Sequence, residues 1–239
     1  MLAHPLIRLA LAPVLLVQGL VVRARARALP EAAGSRAGVC GAGPGLRLLI
    51  VGDSSAAGVG VSDQREALAG QLVTRLAARH RVEWRLVAQS GATVADATGW
   101  VEASDGWPAD VVLVVLGVND VTRMTGLRVW EDRVRGLCAV LRRRHGAGRV
   151  IWSGVPQMVA FPLLPRPLRD VLGAVAQRND MVLARLAAGA VPGLEHVRLD
   201  LPHEPHLMAR DGFHPGVEGY RLWARLLAAR IAGDGPQVG

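Results

Sequence analysis

Short apolar runs alternate with segments of helical period along most of the chain. Residues 46–53 (LRLLIVGD), 82–89 (VEWRLVAQ), 110–120 (DVVLVVLGVND), 149–157 (RVIWSGVPQ) and 195–202 (EHVRLDLP) are rich in Val, Ile and Leu, and the run at 110–120 is apolar nearly throughout. Runs of this length suit strands covered on both faces, as in a parallel sheet. Between them the period changes. Leu68, Leu72 and Leu76 make one helical stripe within 63–80, and Asp63 with Glu66 is spaced as a capping box at its start. Residues 126–145 and 168–189 repeat the amphipathic spacing, with arginines on the opposite side. A last helix, read over 215–233, has Pro215 in its first turn and stacks Tyr220, Trp223, Leu227 and Ile231 on one face. Five strands interleaved with helices predict right-handed crossovers and a three-layer α/β/α sandwich around a five-stranded parallel sheet.

The first 28 residues depart from this alternation. Residues 5–22 (PLIRLALAPVLLVQGLVV) are apolar apart from Arg8, Pro13 and Gln18, marginal for a bilayer core that takes about 20 apolar residues. Arg23, Arg25 and Arg27 follow the apolar stretch, whereas a secretory signal carries its positive charge before it. That flank predicts a retained anchor or interfacial helix, membrane-associated, with the rest of the chain on the cytoplasmic side. The alternatives are a cleaved signal, giving a secreted or periplasmic domain, and a helix packed on the domain itself. Residues 29–45, rich in Gly, Ala and Pro, read as a linker, 46–232 as the folded domain and 233–239 as a tail.

Composition narrows the function. With 51% hydrophobic and 20% charged residues the chain can bury a substantial core, which excludes general disorder. The net charge of +8 is carried by arginine alone, scattered over almost every segment, and 4% aromatic residues leave little for base stacking. A nucleic-acid partner is therefore not expected. Without a lysine there is no P-loop, and glycines at 52, 58 and 60 do not make a dinucleotide fingerprint. GAGPG at 41–45 precedes its strand, the wrong side for cradling a pyrophosphate. No cofactor is expected. Cys40 and Cys138 have neither CxxC nor metal-ligand spacing. His196, His203, Glu204 and His206 raise a metal alternative, but His203 and His206 are three apart with Pro205 between them, which breaks the helical geometry of a zinc HExxH site.

Open sheets of this type place their sites at the carboxyl ends of the strands. Here those ends carry Gly52-Asp53-Ser54, Ser90-Gly91-Ala92, Gly117-Val118-Asn119-Asp120 and a loop over 202–216 containing Asp211 and His214. A serine hydroxyl becomes a nucleophile when a base takes its proton and a third group holds that base in the right tautomer. Asp211, with Gly212 to ease the turn, can reach back to Nδ1 of His214 and leave Nε2 facing outward. Donors for a developing oxyanion are available as the backbone N–H of Ser54, the backbone N–H of Gly91 and the side-chain amide of Asn119. Asp53 is better read as structural, bonded to nearby backbone N–H groups, and Ser55 as a turn or pocket residue.

The ordered set Gly52-Asp53-Ser54, Gly91, Gly117-x-Asn119-Asp120 and Asp211-x-x-His214 resembles the SGNH hydrolases, also called the GDSL esterase/lipase family. The match runs from about residue 46 to 232. It departs from the family pattern at Ser55, where many members have leucine, and at Ser90, where asparagine is frequent. The resemblance implies a flavodoxin-like fold and hydrolysis of small-molecule or lipid carboxylic esters through an acyl-enzyme on Ser54. It implies His214 as the base oriented by Asp211, Ser54, Gly91 and Asn119 as the oxyanion hole, and no metal or organic cofactor. A carbohydrate O-deacetylase, a thioesterase or an acyltransferase would use the same groups. A non-catalytic binding module is the reading from a different class.

Overall fold

The computed structural model describes residues 5–26, 29–202 and 204–233. Its sheet has the order β1-β3-β2-β4-β5-β6, formed by β1 (Ala37–Cys40), β2 (Gly45–Gly52), β3 (Arg81–Ala88), β4 (Val111–Val115), β5 (Arg149–Ser153) and β6 (Leu194–Val197). β2 to β6 are all parallel to their neighbours. Every residue of β4 is buried, as a central strand covered on both faces requires.

Along β2 the side chains alternate between two cores. Leu49 and Val51 enter the core under α3 (Val94–Ala103), α5 (Leu127–His145) and α6 (Leu168–Arg185), while Leu48 and Ile50 enter the core under α2 (Leu68–Leu76) and α7 (Val217–Ala232). The stripes Leu68, Leu72, Leu76 and Tyr220, Trp223, Leu227, Ile231 are buried as their spacing predicts. The result is the expected three-layer sandwich.

The sheet has six strands rather than five. The additional strand, β1, lies inside the segment read as a linker and pairs antiparallel with β3, from Ala37 opposite Arg85 to Cys40 opposite Val82. All four of its residues are exposed, so no hydrophobic pattern marks it. It is recruited by the unpaired backbone edge of β3. The capping box also moves. Asp63 instead accepts from the backbone N–H of Arg65, and α2 begins only at Leu68. The reciprocal cap forms between Thr93 and Asp96, opening α3, a helix that the apolar spacing does not announce. Pro215 lies just before α7, whose N-cap is Gly216.

The N-terminal apolar segment forms α1 (Pro5–Ala26), with Pro13 inside it. Among the described residues no helix is long and apolar enough to cross a membrane, so the spanning-anchor reading is not supported. Instead α1 lies against the domain. Leu15 and Val22 pack on the α3–α5–α6 core, and the Gln18 amide donates to Arg166 O and accepts from Leu168 N at the start of α6. Val14, Leu16, Val17, Leu20 and Val21 stay exposed.

Candidate active site

The nucleophile candidate sits where β2 breaks. Asp53 N donates to Val115 O, one residue beyond the strand, and then Ala57 N bonds Asp53 O and Val59 N bonds Ser54 O, winding the small residues into helical turns. Ser54 is thereby held at the carboxyl edge of the sheet. His214 reaches it from the other side of the chain: its Nε2 is 2.9 Å from Ser54 Oγ, and its Nδ1 is 2.6 Å from Asp211 Oδ2. Asp211 Oδ1 accepts from the backbone N–H groups of Phe213 and His214, each at 3.0 Å, so the carboxylate is locked against its own loop. Gly212 makes this reversal at φ +63°.

The approach of the two loops depends on Gly60. At φ +108° it lies so close to the His214 loop that a Cβ there would stand 2.3 Å from Pro215 O and 3.4 Å from His214 Cβ. The glycines after Ser54 are thus a packing device, tight where a mobile rim would be loose.

On the opposite flank of Ser54, Gly91 turns the chain after β3 at φ +82°. Gln89 N bonds Gly52 O and Ala92 N bonds Gln89 O, while the N–H groups of Ser54 and Gly91 donate to no acceptor among the described residues. Asn119, in α4 (Val118–Thr122), donates from Nδ2 to Ala92 O at 3.0 Å and to Asp53 Oδ2 at 3.3 Å. Ser54, His214 and Asp211 are thus joined directly, while Asn119 is tied to Asp53, next to the serine, and to Ala92, next to Gly91.

Two carboxyls in this neighbourhood are pushed in opposite directions. Asp53 is buried, which drives its pKa up to about 6, against the opposing pull of the Ser55 N–H bond and the nearby His214. For Asp211 burial also works upward, but the bonds from the His214 ring and from two backbone N–H groups outweigh it and hold the carboxyl below its ordinary value. Asp53 is a structural acceptor, as its sequence context predicts, and it aims Asn119 as well as Ser55.

A cavity open to solvent runs from Ser54 between the ends of β4 and β5 and the start of α7. Leu116, Phe161, Leu199, Leu201, Phe213 and Trp223 contribute to its apolar wall, and Ser55 lines it too. Trp223 is fixed there by a 2.9 Å bond from its Nε1 to Ser153 Oγ.

Several supporting contacts carry no signal in the sequence. Arg123 donates to Gly91 O at 2.9 Å, Asp120 accepts from Val94 N and pairs with Arg133, and Glu31 accepts from Ser90 N. Each contact joins segments that are distant in sequence, so periodicity cannot announce it. Of the histidine cluster, His196 bonds Asp180 at 2.8 Å, His206 lies 3.4 Å from Glu204 on the surface, and His203 is outside the described residues; among the described residues no three His, Cys, Asp or Glu side chains come together as a ligand set.

Fold and contacts define the class: a mostly parallel sheet covered on both faces, with a serine–histidine–aspartate relay at its carboxyl edge. Within that class the chain belongs to the GDSL-like Lipase/Acylhydrolase family, whose model matches residues 50–222. It is 32% identical over 197 residues to a GDSL-like esterase of Mycobacterium tuberculosis, an alignment covering 76% of this chain; the chain spans 60% of that relative's length. Among solved structures it is similar to Axe2, an acetylxylan esterase from Geobacillus stearothermophilus (TM-score 0.57, 21% identity, 80% of this chain and 95% of that one). It is also similar to the psychrotrophic esterase EstA from Pseudoalteromonas sp. (TM-score 0.60, 18% identity, 78% and 97%). At such identities these two likenesses concern the fold.

Proposed function

We propose that the protein hydrolyses carboxylic esters in two acyl-transfer steps on Ser54. The observation that carries this reading is the unbroken relay from Ser54 Oγ to His214 to Asp211, at 2.9 and 2.6 Å. His214 Nε2 takes the hydroxyl proton as Ser54 Oγ bonds to the ester carbonyl, and the imidazolium then protonates the departing alcohol. Asp211 holds Nδ1–H and stabilises the cation. The carbonyl oxygen, now an oxyanion, is received by the unengaged N–H groups of Ser54 and Gly91 and by Asn119, whose longer bond to Asp53 is the one it exchanges for the substrate. Water, deprotonated by His214, releases the acid and restores the serine.

The apolar wall of the cavity favours an ester with an apolar portion over a sugar, which needs polar partners for its hydroxyls. Each methylene buried there should raise kcat/KM about fourfold, equivalent to about 0.8 kcal/mol. We assign this selectivity to both simple arms of a panel, p-nitrophenyl esters of lengthening acids and acetates of lengthening alcohols; flat responses in both would remove it.

The decisive test of the reaction is labelling by a fluorophosphonate together with turnover of p-nitrophenyl acetate. Ser54→Ala should lose labelling and about 10⁴-fold in kcat, whereas Ser55→Ala should keep both. A folded wild-type protein inert to probe and ester overturns the proposal. We also assign the exposed apolar face of α1 to contact with a lipid surface, lying on it rather than spanning it.

A further inference from the structure

We infer that Glu31, steadied by Arg36, is a positioning residue for the Gly91 oxyanion donor, so that the stretch leading into β1 is part of the active-site scaffold. The inference rests on the reading of Gly91 N–H as an oxyanion donor. Glu31 Oε1 accepts from Ser90 N at 2.7 Å, the peptide N–H immediately before that of Gly91. Glu31 Oε2 is bound at 2.5 Å by Arg36 Nη2, and Arg36 Nη1 reaches Ala88 O at 2.8 Å, the last residue of β3. Arg36 is itself anchored, since its carbonyl accepts from Leu86 N at 2.7 Å.

The same few residues hold the nucleophile loop. Ala32 N bonds Ala57 O, Ala33 N bonds Ser62 O, and Gln64 N returns to Ala33 O. One short strap therefore crosses both loops whose separation sets the distance between Ser54 Oγ and the Gly91 N–H. A misplacement of a fraction of an ångström there weakens transition-state binding far more than substrate binding. A bare carboxylate beside the oxyanion hole would repel the charge that develops in it. Arg36 neutralises Glu31, which explains why the two come as a pair.

Glu31→Ala should lower kcat about tenfold with KM within about twofold, and slow phosphonylation of Ser54 by the same factor, because the phosphonate oxygen enters the same hole. Glu31→Gln keeps an acceptor for Ser90 N–H and should restore most of both rates. If Glu31→Ala fails to fold, Glu31→Asp serves: the carboxylate falls one methylene short of Ser90, so the rates should drop while Glu31→Gln stays near wild type. Wild-type kcat and phosphonylation in folded Glu31→Ala or Glu31→Asp would overturn the inference, as would equal losses in kcat and 1/KM. A wild-type protein inert to both ester and phosphonate would instead overturn the esterase reading on which it stands.

Discussion

Asp53 is the residue at which burial, charge and geometry meet. It stands beside Ser54 yet bonds away from it, to Ser55 N through Oδ1 and to Asn119 through Oδ2. In Asp53→Asn the new amide keeps an oxygen for Ser55 but turns a second N–H₂ toward that of Asn119, two donors face to face. The Asn119 amide should lose its aim, and kcat should fall roughly tenfold or more. The same substitution has a stability signature whose sign follows from the raised pKa. Native Asp53, titrating at about 6, binds its proton more tightly than an unfolded aspartate near 3.8, so its contribution to stability declines as pH climbs through that window. The Tm of Asp53→Asn should therefore gain on wild type between pH 4 and pH 7 in parallel melts. Asp211 acts oppositely: its lowered pKa gives stability that is present above the unfolded value and lost as pH falls through the native one.

Loops, and not the strands that carry them, set the distances among Ser54, His214 and Asp211. The turn that carries Ser54 and the 202–216 loop touch at Gly60, where a methyl group would meet Pro215 O and where the backbone is in the left-handed region. Gly60→Ala therefore combines strain with a clash and should cost about 1–3 kcal/mol of stability, read as a lower Tm. It should also push His214 away from Ser54, reducing kcat at least tenfold with KM little changed. The motif blocks were legible because each chemical group sits within four residues of a strand end or of its partner: Asp211 and His214 lie on one turn. The strap was not legible, since Glu31 acts on Ser90 across a sequence separation of 59 residues and β1 has no buried face.

For the molecule as a unit, α1 is the element whose role depends on its surroundings. One side carries Leu15, Gln18 and Val22 against the domain; the other presents Leu16, Val17 and Leu20, exposed by 60–65%. An interfacial helix with arginines at its C-terminal end should bind anionic vesicles and release them in high salt. Cosedimentation with phosphatidylserine-containing vesicles checks this, with Leu16→Glu/Leu20→Glu expected to abolish binding while ester turnover in solution persists. Binding unchanged by the pair would assign the face to something other than lipid.

The five parallel strands, most of the helices between them, the two-sided burial of β4 and the chemistry at the strand ends were written in the chain as local patterns, because hydrophobic period and short motifs act over a few residues. The N-terminal apolar stretch could be read locally only as apolar; its docking through Gln18 depends on where α6 begins. Glu31, Arg36, Arg123 and Gly60 acquire their functions only from neighbours that folding brings to them, as backbone edges and loop carbonyls take whatever partner the packed chain presents. Ser54, His214 and Asp211 could be picked out as residues, but the few ångströms between Ser54 and His214 belong to the assembled loops.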